Sequence, residues 1–288
     1  MKLITRVFDR KGAPILAAIF VALLVAEGSR QLRKRTQPRV KRLLINSIIS
    51  IPAFSLLRFL LLPVMVRLAS KNRRLKWGLN YHYQAPGFVK SMLTFLLLDY
   101  SNYLWHILLH KMPLLWRFHV VHHSDPDLDL STAIRFHFGE MVGSVIYRGG
   151  FVLLTGASPM NVLLYEIAFE GATQFHHSNW KLPLHLERVL NKVIVTPRMH
   201  GIHHSMIRQE TDSNYSIIFS FWDRLHQTIR LNVQQNQIVT GVPSYSDPDE
   251  LTIGYLLKLP FTNIREWEAA SEVRDVRAAF PDKNKLAE

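Results

Sequence analysis

The chain has 288 residues, a formal net charge of +13, 48% hydrophobic residues and no cysteine. Its length suits one domain or a small polytopic membrane protein. Without cysteine there are no disulfides, thiolate metal sites or cysteine nucleophile, so any bound metal must be held through nitrogen or oxygen.

The basic excess is concentrated in residues 30–42 and 71–76, beside apolar runs rather than across a folded face. Lys and Arg in that position set the orientation of a membrane span and attract anionic headgroups. A nucleic-acid groove needs basic residues spread over a surface, so a membrane is expected as partner and nucleic acid is not.

In chain order, Lys2, Arg6, Arg10 and Lys11 precede an apolar stretch at 13–26. This looks like a signal peptide, but the basic segment and further apolar runs that follow make it a retained anchor. The run 43–69 is longer than one crossing needs and contains Pro52, Arg58 and Pro63, which permits a kinked helix or a re-entrant hairpin. Basic clusters at both its ends favour the hairpin.

Residues 88–110 read as one full helix, with Tyr100, Tyr103 and Trp105 where interfacial aromatics belong, so its histidines fall at the membrane rim. The run 141–169 is split by Thr155-Gly156-Ala157-Ser158-Pro159, a turn that sends the chain in and back out. Residues 114–140 and 174–288 then share one side of the bilayer. From about 184 the chain is a polar peripheral tail. Asp247-Pro248-Asp249-Glu250 reads as the start of a helix over 251–259, with Asp as N-cap and Pro260 as stop.

The expected fold is all-α: a polytopic membrane helical protein whose peripheral helical cap carries a histidine-rich dimetal site. Its divisions are an N-terminal anchor with basic loops (1–87), a histidine-box catalytic domain with a membrane helix and hairpin (88–230) and a C-terminal peripheral tail (231–288). No internal repeat is visible.

The histidines carry the chemistry. His106 and His110 are four apart on the expected helix, His119, His122 and His123 form an HxxHH pattern, and His200, His203 and His204 repeat it. Positions i, i+3 and i+4 share a helical face, so each HxxHH triplet is expected to converge on one point. Eight imidazoles at a low-dielectric rim must stay neutral and pair with one another unless a cation is shared. They exceed the four ligands of one zinc and suit two metals. Imidazole accepts Zn, Cu, Fe or Ni, so ligand type leaves the metal open. The Glu-x-x-His signature of soluble di-iron bundles is absent, as is the H-E-x-x-H of zinc proteases.

These boxes resemble those of the fatty acid hydroxylase and sterol desaturase superfamily, over about residues 99–228. Supporting text is Thr132-Ala133-Ile134-Arg135-Phe136-His137, His177-Ser178-Asn179, Thr196-Pro197-Arg198-Met199-His200, Asn214-Tyr215 and Trp222-Asp223-Arg224-Leu225. The chain departs from the pattern in Ser216, where Gly usually follows Asn-Tyr, and in His226-Gln227, where Phe-Gly is usual.

The resemblance implies two iron ions, O2 as co-substrate and an external electron donor such as a reductase, ferredoxin or cytochrome. It implies as metal ligands His106, His110, His119, His122, His123, His177, His200, His203 and His204, with His176 as the alternative to His177. His137 is a candidate for the substrate pocket or for support of the ligands, and Asp99, Asn179, Arg198 and Asp223 for orienting imidazoles through their second ring nitrogen. His82, His185 and His226 lie outside any box.

The expected activity is hydroxylation of a C–H bond in a fatty acyl, sterol or related lipid, in an integral membrane protein whose boxes face the cytoplasm. The alternative within the family is a lipid or sterol desaturase. Outside it stands a non-enzymatic membrane metal-binding or transport protein. Transport favours ionisable residues near the midplane, whereas these boxes sit at span ends.

Overall fold

A computed structural model describes residues 7–267; the basic Lys2 and Arg6 and the end of the C-terminal tail lie outside the described residues. All regular elements described are helical, and β pairing is limited to isolated bridges such as Gln31 with Trp180 and Ser205 with Thr240.

Helix α1 (Ala13–Ser29) is extended at its start by a π turn, Phe8–Gly12. Helix α2 (Arg39–Leu56) passes through a second π turn, Leu57–Leu61, directly into α3 (Leu62–Leu75). The run 43–69 is therefore continuous and the hairpin is not formed. Pro63 sits inside this continuous run, and the π turn before it absorbs the break that its missing N–H makes in the hydrogen-bond ladder. Two stretches, Phe8–Ser29 and Arg39–Tyr81, are long and apolar enough to cross a membrane.

Helix α4 (Gly87–Lys111) forms over the expected residues but buries Thr94, Asp99, Ser101 and Asn102 in the protein interior. Helix α5 (Pro113–His123) follows almost at once, started by a proline. The expected in-and-out turn separates α6 (Phe138–Thr155) from α7 (Pro159–His177). Gly156 ends α6 in the left-handed region (φ 71°), and Ser158 forms a reciprocal capping box with Asn161. A Cβ on Gly78 (φ 96°) would lie 2.4 Å from the Gly156 backbone, so this turn closes only against glycine.

The remaining helices are short: α8 (Leu184–Leu190), α9 (Pro197–His203), α10 (Arg208–Thr211), α11 (Phe221–Leu225) and α12 (Ile253–Lys258). The last begins later than the sequence suggests. Thr252, not Asp247, is its N-cap, its hydroxyl accepting from Tyr255 N–H, while Asp247 spends its carboxylate on the turn at Asp249. Pro260 sits in a 3₁₀ turn that ends the segment.

In the bundle α1 packs on α7, α2 and α3 on α6, and α4 on α5, α6 and α7; α9 lies against α7. Leu61, Leu62, Met65, Val66, Val152 and Tyr165 belong to the larger core. A second core joins Ile49 of α2 and Val120 and Val121 of α5 to Tyr245, Leu256 and Leu259, so the C-terminal segment is clamped beside the HxxHH helix. Phe59 (76% exposed) and Ile146 (79%) stand on the outer surface of the long helices, as lipid-facing residues would.

A twin histidine centre and its cavity

Ten buried histidines from α4, α5, α7, α9 and the residue after α9 meet at one end of the bundle. Their ring nitrogens form two groups. His106, His110, His119, His123 and His203 make the first; His122, His177, His200 and His204 make the second. Within each group the candidate ligand atoms lie within 4.8 Å of one another. The groups are adjacent, since the rings of His123 and His204 stack at 4.4 Å.

The triplets do not each converge on one point, as their spacing suggested; each straddles both groups. At about 100° per residue, i and i+4 differ by about 40° and point the same way, whereas i+3 lies about 60° to the other side. His119 with His123, and His200 with His204, therefore each serve one group, while the i+3 residues His122 and His203 cross to the other.

Backbone carbonyls hold the second ring nitrogen of four of the nine grouped histidines. Nδ1 of His106 meets Tyr215 O at 2.8 Å, that of His122 meets Arg135 O at 3.2 Å, that of His177 meets Thr173 O at 2.8 Å and that of His203 meets Ser213 O at 2.7 Å. A carbonyl only accepts, so these neutral rings carry their proton on Nδ1 and leave Nε2 as a bare lone pair. Nε2 of His122 and of His177 nevertheless face each other at 3.0 Å, His200 Nε2 lies 3.0 Å from that of His177, and His204 Nε2 lies 3.1 Å from that of His200.

Facing lone pairs repel unless a proton or a cation lies between them. Burial, reinforced by neighbouring histidines, holds His122, His200 and His204 well below the ordinary imidazole range, which disfavours the proton. Nitrogens about 2.1 Å from a shared ion and at right angles to one another are about 3.0 Å apart, so the donor set fits a metal. In the first group, Nε2 of His110, His119, His123 and His203 are buried without any hydrogen-bond partner, which is the same signature.

His177 belongs to the second group. His176 stands beside it, its ring 4.1 Å from that of His200, with Nδ1 against Ile217 O and Nε2 unpartnered. His137 is in neither group: its Nδ1 caps α6 by accepting from Gly139 N–H, and its Nε2 meets Leu257 O.

The four expected orienting residues make their hydrogen bonds elsewhere. Asp99 binds Trp222 Nε1 and Phe219 N–H; Asn179 binds both backbone polar groups of Arg33; Arg198 pairs with Glu187. Asp223 accepts from the N–H groups of Tyr215 and Ser216, so it fixes the loop whose Tyr215 carbonyl holds His106 without touching a ring itself. These buried loops need side-chain partners for their backbone groups, and that need claims the residues.

Glu140 is the carboxylate the sequence reading missed: its Oε2 is 3.1 Å from His119 Nδ1. The available signal was the one acidic residue of a largely apolar helix, placed in its first turn. Near the departures from the family pattern, Gln227 takes a left-handed conformation (φ 58°) where glycine is usual, while Ser216 Oγ accepts from Asp223 N–H.

Both groups border a cavity that runs down between α2, α4, α6 and α7. His106, His119, His122, His177 and His200 line one end, and Ala53, Phe54, Leu57, Trp105, Leu109 and Phe169 line much of its wall. Such a space accepts an apolar chain and presents it to the ring nitrogens.

Residues 91–228 match the family model described as fatty acid hydroxylase. Among curated proteins, the chain is 30% identical over 181 residues to the alkylglycerol monooxygenase of Danio rerio, covering 61% of this chain and 38% of that one. It is 31% identical to the ornithine lipid hydroxylase OlsE of Rhizobium tropici, covering 51% of this chain and 45% of that one, and 25% identical to human cholesterol 25-hydroxylase, covering 48% and 50%. The matched segments thus span half or less of these relatives' lengths. No solved structure matches the chain significantly.

Proposed function

We propose that this chain, whose residues 91–228 match the fatty acid hydroxylase family model, is an O2-dependent lipid hydroxylase holding two iron ions, one in each histidine group. The observation that carries the reading is the pair of adjacent groups of buried histidines, each with its candidate ligand nitrogens within 4.8 Å of one another, at the end of a largely apolar cavity. Hydroxylation is favoured over desaturation because the named relatives are hydroxylases and monooxygenases, and a lipid substrate because theirs are lipids.

When bound, the irons would supply O2 activation, with electrons from an external donor. The chain's own work is positioning. His106, His110, His119, His123 and His203 would hold one ion, and His122, His177, His200 and His204 the other. Carbonyl contacts at Nδ1 fix ring orientation and tautomer, and the Glu140 carboxylate does the same for His119 by accepting from its Nδ1–H, which leaves Nε2 free for the metal. Phe54, Leu57, Trp105 and Leu109 exclude water and aim one segment of a lipid chain at the histidines. The lipid reaches the cavity from a bilayer crossed by the long helices, with the histidine end on the cytoplasmic side.

The test is metal content after iron-supplemented expression and purification in mild detergent, beside the His122→Ala/His203→Ala double variant, which removes one ligand from each group. About two irons per chain are expected, lost in the variant, together with host lipids heavier by one oxygen when the wild type is present. A single zinc, or no metal at equal yield, overturns the proposal.

A further inference from the structure

The cavity is not apolar throughout. On α6, Glu140, Ser144 and Arg148 recur every four residues and line it in a row that leads away from the histidines, so that Arg148 lies about 12 Å along the helix from Glu140. On α7, Thr173 and Glu170 lead away from His177 in the same way, Glu170 lying about 10 Å along the axis. The far end of the cavity is therefore polar.

Arg148 is buried and committed to an ion pair with Glu166, one turn from Glu170. That pair sums to zero. Glu170 lies outside it, half-buried, with its side chain lining the cavity, so once its carboxyl is ionised, at mildly alkaline pH, the local charge is that of a carboxylate. Between Glu170 and the histidines, Thr173 is 3% exposed and its Oγ1 has no hydrogen-bond partner. The Thr173 hydroxyl can donate one hydrogen bond and accept two, and an ionised Glu170 only accepts, so together they offer more acceptor positions than donors.

We propose that this end of the cavity selects a lipid bearing a hydrogen-bond donor, a hydroxyl or a protonated amine, about 10 Å from the carbon that is oxidised, and rejects a free carboxylate there. A carboxylate would face Glu170 in a space with little water to screen the repulsion, and the cation able to receive it is already paired with Glu166. An amine gains a charge-assisted bond and a hydroxyl a neutral one. This rests on the lipid-hydroxylase reading and names the substrate class for the same cavity.

The experiment uses the full iron-loaded chain in nanodiscs at about pH 8.5, where Glu170 is ionised and an alkylamine is still protonated, kept anaerobic so that binding is read without turnover. Tryptophan fluorescence reports occupancy, because Trp105 lines the cavity. The probes are dodecan-1-ol, dodecylammonium and dodecanoate.

At least one donor probe is expected to bind about tenfold or more tightly than dodecanoate, and which one identifies the donor as hydroxyl or amine. In Glu170→Gln, dodecanoate should come within about threefold of the alcohol while dodecylammonium weakens about tenfold. Dodecanoate binding as tightly as both donors in the wild type overturns the proposal, as does an unchanged ranking in a Glu170→Gln protein of normal iron content. If that variant does not hold iron, the wild-type ranking and Thr173→Val, expected to weaken the donor probes, decide it. The expected ranking with no oxygenated product on readmitting air and reductant would fail the hydroxylase reading and leave the selectivity standing.

Discussion

Glu140 accepts from Nδ1 of His119 at 3.1 Å while lining the same cavity as the ring, so it is placed to tune a ligand and not only to cap a helix. Glu140→Gln keeps an acceptor of the same shape and removes the charge. The expected result is a loss of about 10- to 100-fold in metal affinity by chelator competition, with helical content unchanged. Equal affinity in the variant would reduce Glu140 to a packing role. The histidines themselves were legible in the sequence because their type and spacing are unusual together. Glu140 was not, because the contact bridges α5 and α6 and no short motif encodes it. Asp99, Asn179, Arg198 and Asp223 are the converse: polar residues near the boxes in sequence that fold onto other partners.

At the scale of elements, a buried ion network fastens the segment after α5 to α2. Arg42 places one guanidinium against Asp125 at 2.8 Å and Asp129 at 2.6 Å, and Asn46, one turn along, also binds Asp125. Arg135 donates to Asn46 and to Ser124, while its own carbonyl holds His122, so the network reaches the second histidine group. Burial pushes the Asp125 carboxyl up, but Arg42 and Arg135 outweigh it and hold it at about 2, against an ordinary value of 3.8. A depressed carboxylate pKa gives stability that is fully present above about pH 4 and is lost as pH falls towards 2. Asp125→Asn leaves buried arginine charge uncompensated and is expected to cost about 3 kcal/mol, a fall of roughly 5–10 °C in melting midpoint at neutral pH. The variant should also lose part of the acid sensitivity between those values. A melting curve superimposed on the wild type at both pH values would remove the network from the account of what holds the second group. Sequence showed the helices on either side of this link. It did not show the link, because Arg42 reads as one more member of a basic, membrane-facing cluster, and only the fold reveals that it is buried.

For the whole molecule the question is how the bundle sits in a bilayer. The extent of α4 followed from its apolar run and the break between α6 and α7 from the glycine and proline at 156 and 159, whereas α7 runs eight residues past the apolar run to His177, and the run 43–69 did not resolve, since two prolines permit either a bend or a reversal. The structure makes it one continuous run, with Phe59 and Ile146 exposed on the bundle and Asp249 exposed on the C-terminal segment. Because the chain has no cysteine, single cysteines introduced at these positions report without background. In sealed membranes, a membrane-impermeant maleimide should miss Phe59→Cys, Ile146→Cys and Asp249→Cys alike. After the vesicles are opened it should label Asp249→Cys alone, and in denaturing detergent all three. Labelling of Ile146→Cys as fast as Asp249→Cys in opened membranes would mean that the outer face of α6 meets water, and the bundle would then need a partner rather than lipid to cover it. Labelling of Asp249→Cys in sealed cells would put the histidine end outside the cytoplasm, and the electron donor would have to be sought there.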